Sequence, residues 1–183
     1  MDTSTILWRR IDRPGHESAR LSHRDALWRL AGRAVFAAGE GPTALDYEIV
    51  CDETWKTVSA TVAGWIGSTI VSSRIEVARE GRWLLNGVEV PEVAGAVDVD
   101  LNFSPSTNLL PIRRLALEVG EEANVLAAWL RFPGFTLEPL EQTYRRTGSA
   151  NWRYTSAGGR FLRDLEVDSD GFVTNYPDLW IAE

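Results

Sequence analysis

This sequence contains little of what several common classes of protein require. Its 183 residues include one cysteine, Cys51, and two histidines, His16 and His23. A single cysteine excludes an internal disulfide and a cysteine zinc site, and it suits a reducing compartment. No His-Glu-x-x-His pattern, Gly-x-Ser-x-Gly elbow, phosphate loop or dinucleotide fingerprint is present. The sequence therefore indicates neither a metal nor a cofactor.

Long apolar runs and an excess of positive charge are also missing. No stretch approaches the roughly 18 apolar residues of a membrane-spanning helix, and the first ten residues lack the pattern of a signal peptide. The net charge is −7 and the pI about 5.0, which disfavours a nucleic-acid partner. We therefore expect a cytoplasmic protein without a transmembrane segment. The sequence leaves its oligomeric state open.

Aromatic residues, by contrast, are abundant. Hydrophobic residues make up 44% of the chain, enough for a sizeable core, and the length suits a single domain over residues 1–183. Indole rings bury much apolar area but carry an N–H donor that needs a partner. We expect most of the eight tryptophans in the core, with some lining an amphipathic pocket: Trp8, Trp28, Trp55, Trp65, Trp83, Trp129, Trp152 and Trp180.

Two-residue alternation of apolar and polar side chains dominates from residue 47 onward. It runs through 56–65 and 69–79, and we prefer strand to helix for 121–130. Asn86-Gly87 is a strong hairpin signal, and glycine-containing turns recur at 80–81, 157–159 and 168–171. Such short connections enforce antiparallel pairing. We predict a mainly β domain with little helix, in which roughly ten strands at most form a large curved antiparallel sheet, a partial or closed barrel.

The first forty residues have a less regular pattern. We interpret 13–17 as a turn, so that a general base formed by His16 and Glu17 is less favoured than a solvated turn. Residues 18–30 are compatible with a helical turn. Cys51 ends an apolar run and is expected to be a buried structural thiol.

The densest chemistry lies between Asp98 and Arg114. If the segment begins as a strand, Asp98, Asp100 and Asn102 share one face. A polar loop follows, and Arg113 and Arg114 can reach back to a carboxylate with a two-bond geometry.

Three interpretations of this segment remain open. It is a loop pinned by its own ion pairs, a polar lining of a ligand cavity, or an acid/base pair of Asp98 and Asp100 such as glycosidases use. A calcium loop is excluded because Phe103 stands where glycine is needed and Leu109 where glutamate is needed.

The same segment resembles the signature of the putative glycolipid-binding family, formerly a domain of unknown function. Other matching pieces follow in order along nearly the whole chain. They are Asp12-Arg13-Pro14-Gly15-x-Glu17, Tyr47-x-x-x-Cys51-Asp52-x-x-Trp55-x-Thr57, Gly81-x-Trp83, Pro133, Gln142-x-Tyr144 and Val167-Asp168-x-x-Gly171-x-Val173-x-x-Tyr176-Pro177. Asn86-Gly87 departs mildly from the Asp-Gly turn that the family would have.

The resemblance implies a fold similar to bacterial lipoprotein-carrier domains, in which a curved sheet encloses an apolar cavity. Our leading hypothesis is a non-catalytic binding protein for a lipid or glycolipid-like ligand. The alternatives are a sugar-acting hydrolase that uses Asp98 and Asp100, and a structural or interaction module. The ligand-binding residues that we predict are Asp98, Asp100, Asn102, Asn108, Arg113, Trp55 and Trp83.

Overall fold

The structure is a computed structural model that describes residues 3–39 and 41–183. Strands account for 61% of the residues. The strands described are β1 (Thr3–Arg10), β2 (Gly15–Arg24), β3 (Leu27–Ala38), β4 (Gly41–Cys51), β5 (Thr57–Ile66), β6 (Thr69–Val77), β7 (Trp83–Leu85), β8 (Val88–Glu89), β9 (Asp98–Leu101), β10 (Glu122–Arg131), β11 (Thr136–Arg146), β12 (Asn151–Ser156), β13 (Phe161–Val167), β14 (Val173–Tyr176) and β15 (Trp180–Ala182).

All fifteen of these strands belong to one sheet. Its order is β8-β7-β6-β5-β4-β3-β2-β1-β15-β14-β13-β12-β11-β10-β9. Neighbouring strands are antiparallel, except that β9 runs parallel to β10. The predicted mainly β fold with a large curved sheet is confirmed, with more strands than we expected.

The sheet curls into a partial barrel but does not close, because β8 and β9 remain as edges. The edge strand β9 is instead tied to the beginning of β5. Thr57 donates its backbone N–H to the Val97 carbonyl at 3.2 Å, and its hydroxyl accepts from the Val99 N–H at 3.0 Å. These bonds satisfy backbone groups that an edge strand would otherwise leave unpaired.

The prediction for the first forty residues was wrong in two respects. Residues 18–30 form no helical turn but most of a hairpin of β2 and β3, whose turn places Asp25 and Ala26 at φ 54° and 60°. The chain bends at 11–14, and β2 already begins at Gly15. The hairpin was missed because its turn contains no glycine, although two residues with positive φ are what a tight hairpin needs.

Several other local predictions are confirmed. Asn86 and Gly87 join β7 to β8 with φ values of 52° and 81°, and residues 122–131 are strand. Cys51 is a buried free thiol, and burial raises its pKa to about 12. Trp8 and Trp83 are buried and donate their indole N–H groups to backbone carbonyls, whereas Trp65 is 49% exposed.

A short helix, α1 (Leu109–Leu115), occupies the second half of the segment that was predicted as a loop. It follows a single 3-10 turn at 106–108 and ends at Ala116, which has a φ of 47°. Its first four residues are buried, so packing rather than local propensity stabilises it. No helix in residues 3–39 and 41–183 has the length and apolar character that spanning a membrane requires.

Candidate functional site

One cavity of about 480 Å³ combines aromatic walls with polar atoms. Connections at one end of the sheet contribute to it, among them 11–14 between β1 and β2 and 177–179 between β14 and β15. Arg10, the last residue of β1, faces Trp180, the first residue of β15. Both connections therefore lie at the same end of the sheet, which we call the mouth end. The apolar walls are Trp129, Phe132, Phe161, Tyr176, Leu179 and Trp180.

Asp100 is one of two carboxylates that line this cavity, the other being Asp12. It lies opposite Trp129 in the parallel pair β9–β10. Its Oδ2 accepts a hydrogen bond from Gln142 Nε2 at 2.6 Å, and the same nitrogen donates to the Tyr154 hydroxyl at 3.2 Å. Burial raises the pKa of Asp100 to about 6, and the nearby charge of Asp98 adds to the rise.

Two asparagines, Asn102 and Asn108, also line the cavity. Asn102 accepts the backbone N–H of Phe132 at its Oδ1, 3.1 Å away, and is exposed. Asn108 is buried, with its Oδ1 accepting from the Tyr144 hydroxyl at 2.9 Å and its Nδ2 donating to the Pro105 carbonyl at 3.1 Å. Asn102 thus keeps its Nδ2 donors available, whereas Asn108 has both ends of its amide bonded.

Behind the cavity wall lies a buried hydroxyl cluster that the sequence did not indicate. The Oε1 of Glu17 accepts from the Tyr47 hydroxyl at 2.7 Å and from the Ser104 hydroxyl at 2.5 Å. Ser104 also contacts the Ser106 hydroxyl at 2.7 Å, and Ser104 itself lines the cavity.

Glu17 is only 1% exposed, so its placement in a solvated turn was wrong. Burial raises its pKa to about 7, despite the hydrogen bonds from Ser104 and Tyr47 that lower it. Its Oε2 has no hydrogen-bond partner among the described residues. The signal that could have located it is periodicity, because Glu17, Ala19 and Leu21 alternate inward along β2.

Charged groups at the mouth neutralise one another in part. Arg10 and Arg13 both donate to Asp12, at 2.7 and 2.8 Å. Burial alone would raise the pKa of Asp12, but the bonds from these arginines lower it overall. Arg10 also lies over the rings of Phe36 and Trp180, with distances of 4.6 and 4.9 Å from its Cζ to the ring centroids.

The structure therefore brings together three of the predicted ligand-binding residues, Asp100, Asn102 and Asn108. Asp98 points elsewhere and accepts two hydrogen bonds from Arg114, at 3.0 and 2.5 Å. Burial raises its pKa, and Arg114 offsets part of that rise. Trp83 is 1% exposed and donates to the Ala96 carbonyl at 3.1 Å.

Trp55 and Arg113 lie together in a different cleft of about 570 Å³. The Arg113 guanidinium is 5.1 Å from the Trp55 ring centroid, and Trp55 stacks on Trp28 at 4.2 Å. This cleft contains Asp168 and Gly171 from the connection between β13 and β14, at the end of the sheet opposite the mouth. In residues 3–39 and 41–183, no group of three or more His, Cys, Asp or Glu side chains is placed to hold a metal ion.

Comparisons with known proteins agree with this architecture. A family model described as "Putative glycolipid-binding" matches residues 5–182. A crystal structure of a DUF1089 family protein from Pseudomonas aeruginosa is similar, with a TM-score of 0.76 and 28% sequence identity over 89% of this chain and 90% of that one. A search of curated proteins found no match. Because the family model spans almost the whole chain, this protein belongs to the family described as "Putative glycolipid-binding".

Proposed function

We propose that this protein binds an amphipathic, lipid-like or glycolipid-like ligand in the mouth-end cavity and does no chemistry on it. One observation carries the proposal: aromatic walls surround a cavity in which Asp100 and Asn102 offer polar atoms. The volume of about 480 Å³ falls within the range of about 300–1,000 Å³ usual for small-molecule sites. The apolar part of the ligand packs on the rings, and its head group meets the polar atoms.

The family description supports a ligand of this kind. The contacts within the cavity support it as well, because the hydrogen-bonding capacity there is only partly used. Asp100 Oδ1 accepts no hydrogen bond from the described residues, and Asn102 Nδ2 donates none to them. These atoms are free to recognise a head group, since polar groups in an otherwise apolar pocket set the orientation of its ligand.

The alternative of a sugar-acting hydrolase needs two carboxylates that flank one substrate. Asp98 does not line the cavity, and Arg114 bonds to both of its oxygens. Asp98, the second carboxylate that a hydrolytic pair with Asp100 would need, is thus already engaged in an ion pair with Arg114. This arrangement favours binding over hydrolysis.

Calorimetric titration with decyl glucoside, below its micelle concentration, tests the proposal. We expect saturable binding to the wild-type protein. Trp129→Ala should weaken binding about tenfold, equivalent to about 1.4 kcal/mol, because Trp129 forms part of the wall. Trp65→Ala is the matched control, since Trp65 is exposed and does not line this cavity.

Native mass spectrometry of the purified protein provides a second measurement, because a retained lipid adds mass. The proposal fails if decyl glucoside does not saturate the wild-type protein. It also fails if Trp129→Ala and Trp65→Ala weaken binding equally, because the loss of affinity would then not depend on the cavity.

A further inference from the structure

Asp100 differs from Asp98 and Asp12 in forming no ion pair with the described residues, and Glu17, behind the cavity wall, likewise bonds only to hydroxyl groups. Asp98 is paired with Arg114, and Asp12 with Arg10 and Arg13. Within residues 3–39 and 41–183, Asp100 receives only the neutral amide of Gln142 and forms no ion pair. Its negative charge is therefore not compensated by the residues around it.

The groups packed around Asp100 do not alter this balance. The hydroxyls of Tyr144, Tyr154 and Tyr176 stay neutral, because burial raises the pKa of each well above its ordinary value. Asp98 and Arg114 together carry no net charge. At the mouth, Arg10 and Arg13 share the single carboxylate of Asp12, which leaves one positive charge in excess. The Arg13 side chain is 41% exposed, so water and dissolved salt weaken its effect on Asp100.

We infer that Asp100 is a specificity-determining residue that admits a neutral, hydroxyl-bearing head group and rejects an anionic one. This inference rests on the proposed binding function. A hydroxyl that donates to Asp100 Oδ1 stabilises the carboxylate by a charge-assisted hydrogen bond. A sulfonate or phosphate placed there meets a like charge in a poorly solvated site, where repulsion is stronger than in water.

The direction of the proton linkage agrees with this assignment. Burial raises the pKa of Asp100 to about 6, so the carboxylate is ionised at pH 7.5 and largely protonated at pH 5. An anionic head group should therefore bind better as the pH falls through about 6. A neutral head group should not gain in this way, because protonation removes a strong acceptor.

The test compares two amphiphiles with the same chain length, decyl glucoside and decanesulfonate, by calorimetry at pH 7.5 and pH 5. The sulfonate does not titrate in this interval. For the wild-type protein we expect the glucoside to bind at least about tenfold more tightly than the sulfonate at pH 7.5, and this preference to shrink at pH 5. The wild-type measurement needs no substitution and hence does not depend on how a variant folds.

Asp100→Asn should remove the discrimination at pH 7.5, raising the sulfonate affinity about tenfold and lowering the glucoside affinity. The asparagine side-chain oxygen can still accept the hydrogen bond that Gln142 Nε2 donates to Asp100 at 2.6 Å, so the variant keeps this contact. Asp46→Asn is the matched control, because Asp46 pairs with Arg33 on the exposed outer face. It loses the same charge and should change neither affinity.

The outcomes separate this inference from the binding function itself. If decyl glucoside fails to bind, the proposed function is wrong. If both amphiphiles bind the wild-type protein equally at pH 7.5, or if Asp100→Asn leaves their ratio unchanged, only the role of Asp100 is overturned.

Discussion

Arg114 binds the carboxylate of Asp98 through two hydrogen bonds, with Nε 3.0 Å from Oδ1 and Nη2 2.5 Å from Oδ2. The Asp98 side chain is 2% exposed and that of Arg114 is 18% exposed. The pair joins the end of α1 to the edge strand β9. It thereby holds the strand that also carries Asp100.

Removal of the arginine should leave Asp98 as an unpaired buried charge. We expect Arg114→Ala to lower the free energy of unfolding by about 3–5 kcal/mol, measured by urea denaturation at pH 7.5. Arg9→Ala is the control and should cost about 1 kcal/mol or less, since Arg9 pairs with Glu183 at the surface. Adding Asp98→Asn to the Arg114 variant should recover part of the loss. No recovery would show that the charge of Asp98 is not the cause.

Glu17 should make stability depend on pH in the direction opposite to that of an ordinary ion-paired carboxylate. Its folded pKa of about 7 lies above the unfolded value of 4.5, so the folded state binds the proton more tightly. The stabilisation is complete below about pH 4.5 and is lost as the pH rises to about 7, by about 3 kcal/mol.

Glu17→Gln cannot titrate and should remove this part of the pH dependence. Urea midpoints at pH 5 and pH 8 measure it for both proteins, with Glu48→Gln as the exposed control, since Glu48 pairs with Arg29 at the surface. An unchanged difference between the two pH values in Glu17→Gln would contradict the assignment.

Gly32 is required because Tyr47 packs directly over it. A Cβ at this position would stand 2.4 Å from the Tyr47 hydroxyl oxygen and 2.8 Å from the backbone oxygen of Ser18. Gly32→Ala should therefore displace Tyr47 from Glu17 and destabilise the protein by about 1–3 kcal/mol, as overpacking does. At Gly39, in the same region of the chain, an added Cβ would meet no described atom within 4 Å apart from its chain neighbours, so Gly39→Ala should be nearly neutral. Equal thermal midpoints for the two variants would contradict the close packing.

Tyr144 supports the cavity from behind by donating to Asn108. Tyr144→Phe leaves the buried Asn108 Oδ1 without this donor, and we expect a loss of about 1–3 kcal/mol in urea denaturation. Thr143→Val, next along β11, removes a hydroxyl bonded to Asn124 at the exposed face. It should cost much less, and a loss as large as that of Tyr144→Phe would show that burial does not decide the effect.

Local features of this fold were predictable because neighbouring residues encode them. Asn86 and Gly87 both tolerate positive φ, so these two adjacent residues are enough to predict the hairpin of β7 and β8. Strand β10 likewise follows from its alternation. The helix α1 was missed because it has only seven residues and depends on the burial of Leu109 and Leu110.

The candidate site was predictable only in part. Asp100, Asn102 and Asn108 are close in the chain and reach the same cavity. Arg113 was grouped with them because it belongs to the same segment, and Trp55 because tryptophan rings suit an amphipathic pocket, yet both lie in the cleft at the opposite end.

By itself, the sequence determined that the chain is mainly β, where several of its turns fall, and which residues alternate across each strand, since these depend on neighbours a few positions apart. Only the tertiary structure decided that Glu17 meets Ser104, 87 positions away, and that Arg114 rather than Arg113 neutralises Asp98. It also decided that Asp100 lines an aromatic cavity and forms no ion pair with the described residues. The physical reason is that burial and charge pairing depend on the register and curvature of the whole sheet, which no local pattern specifies.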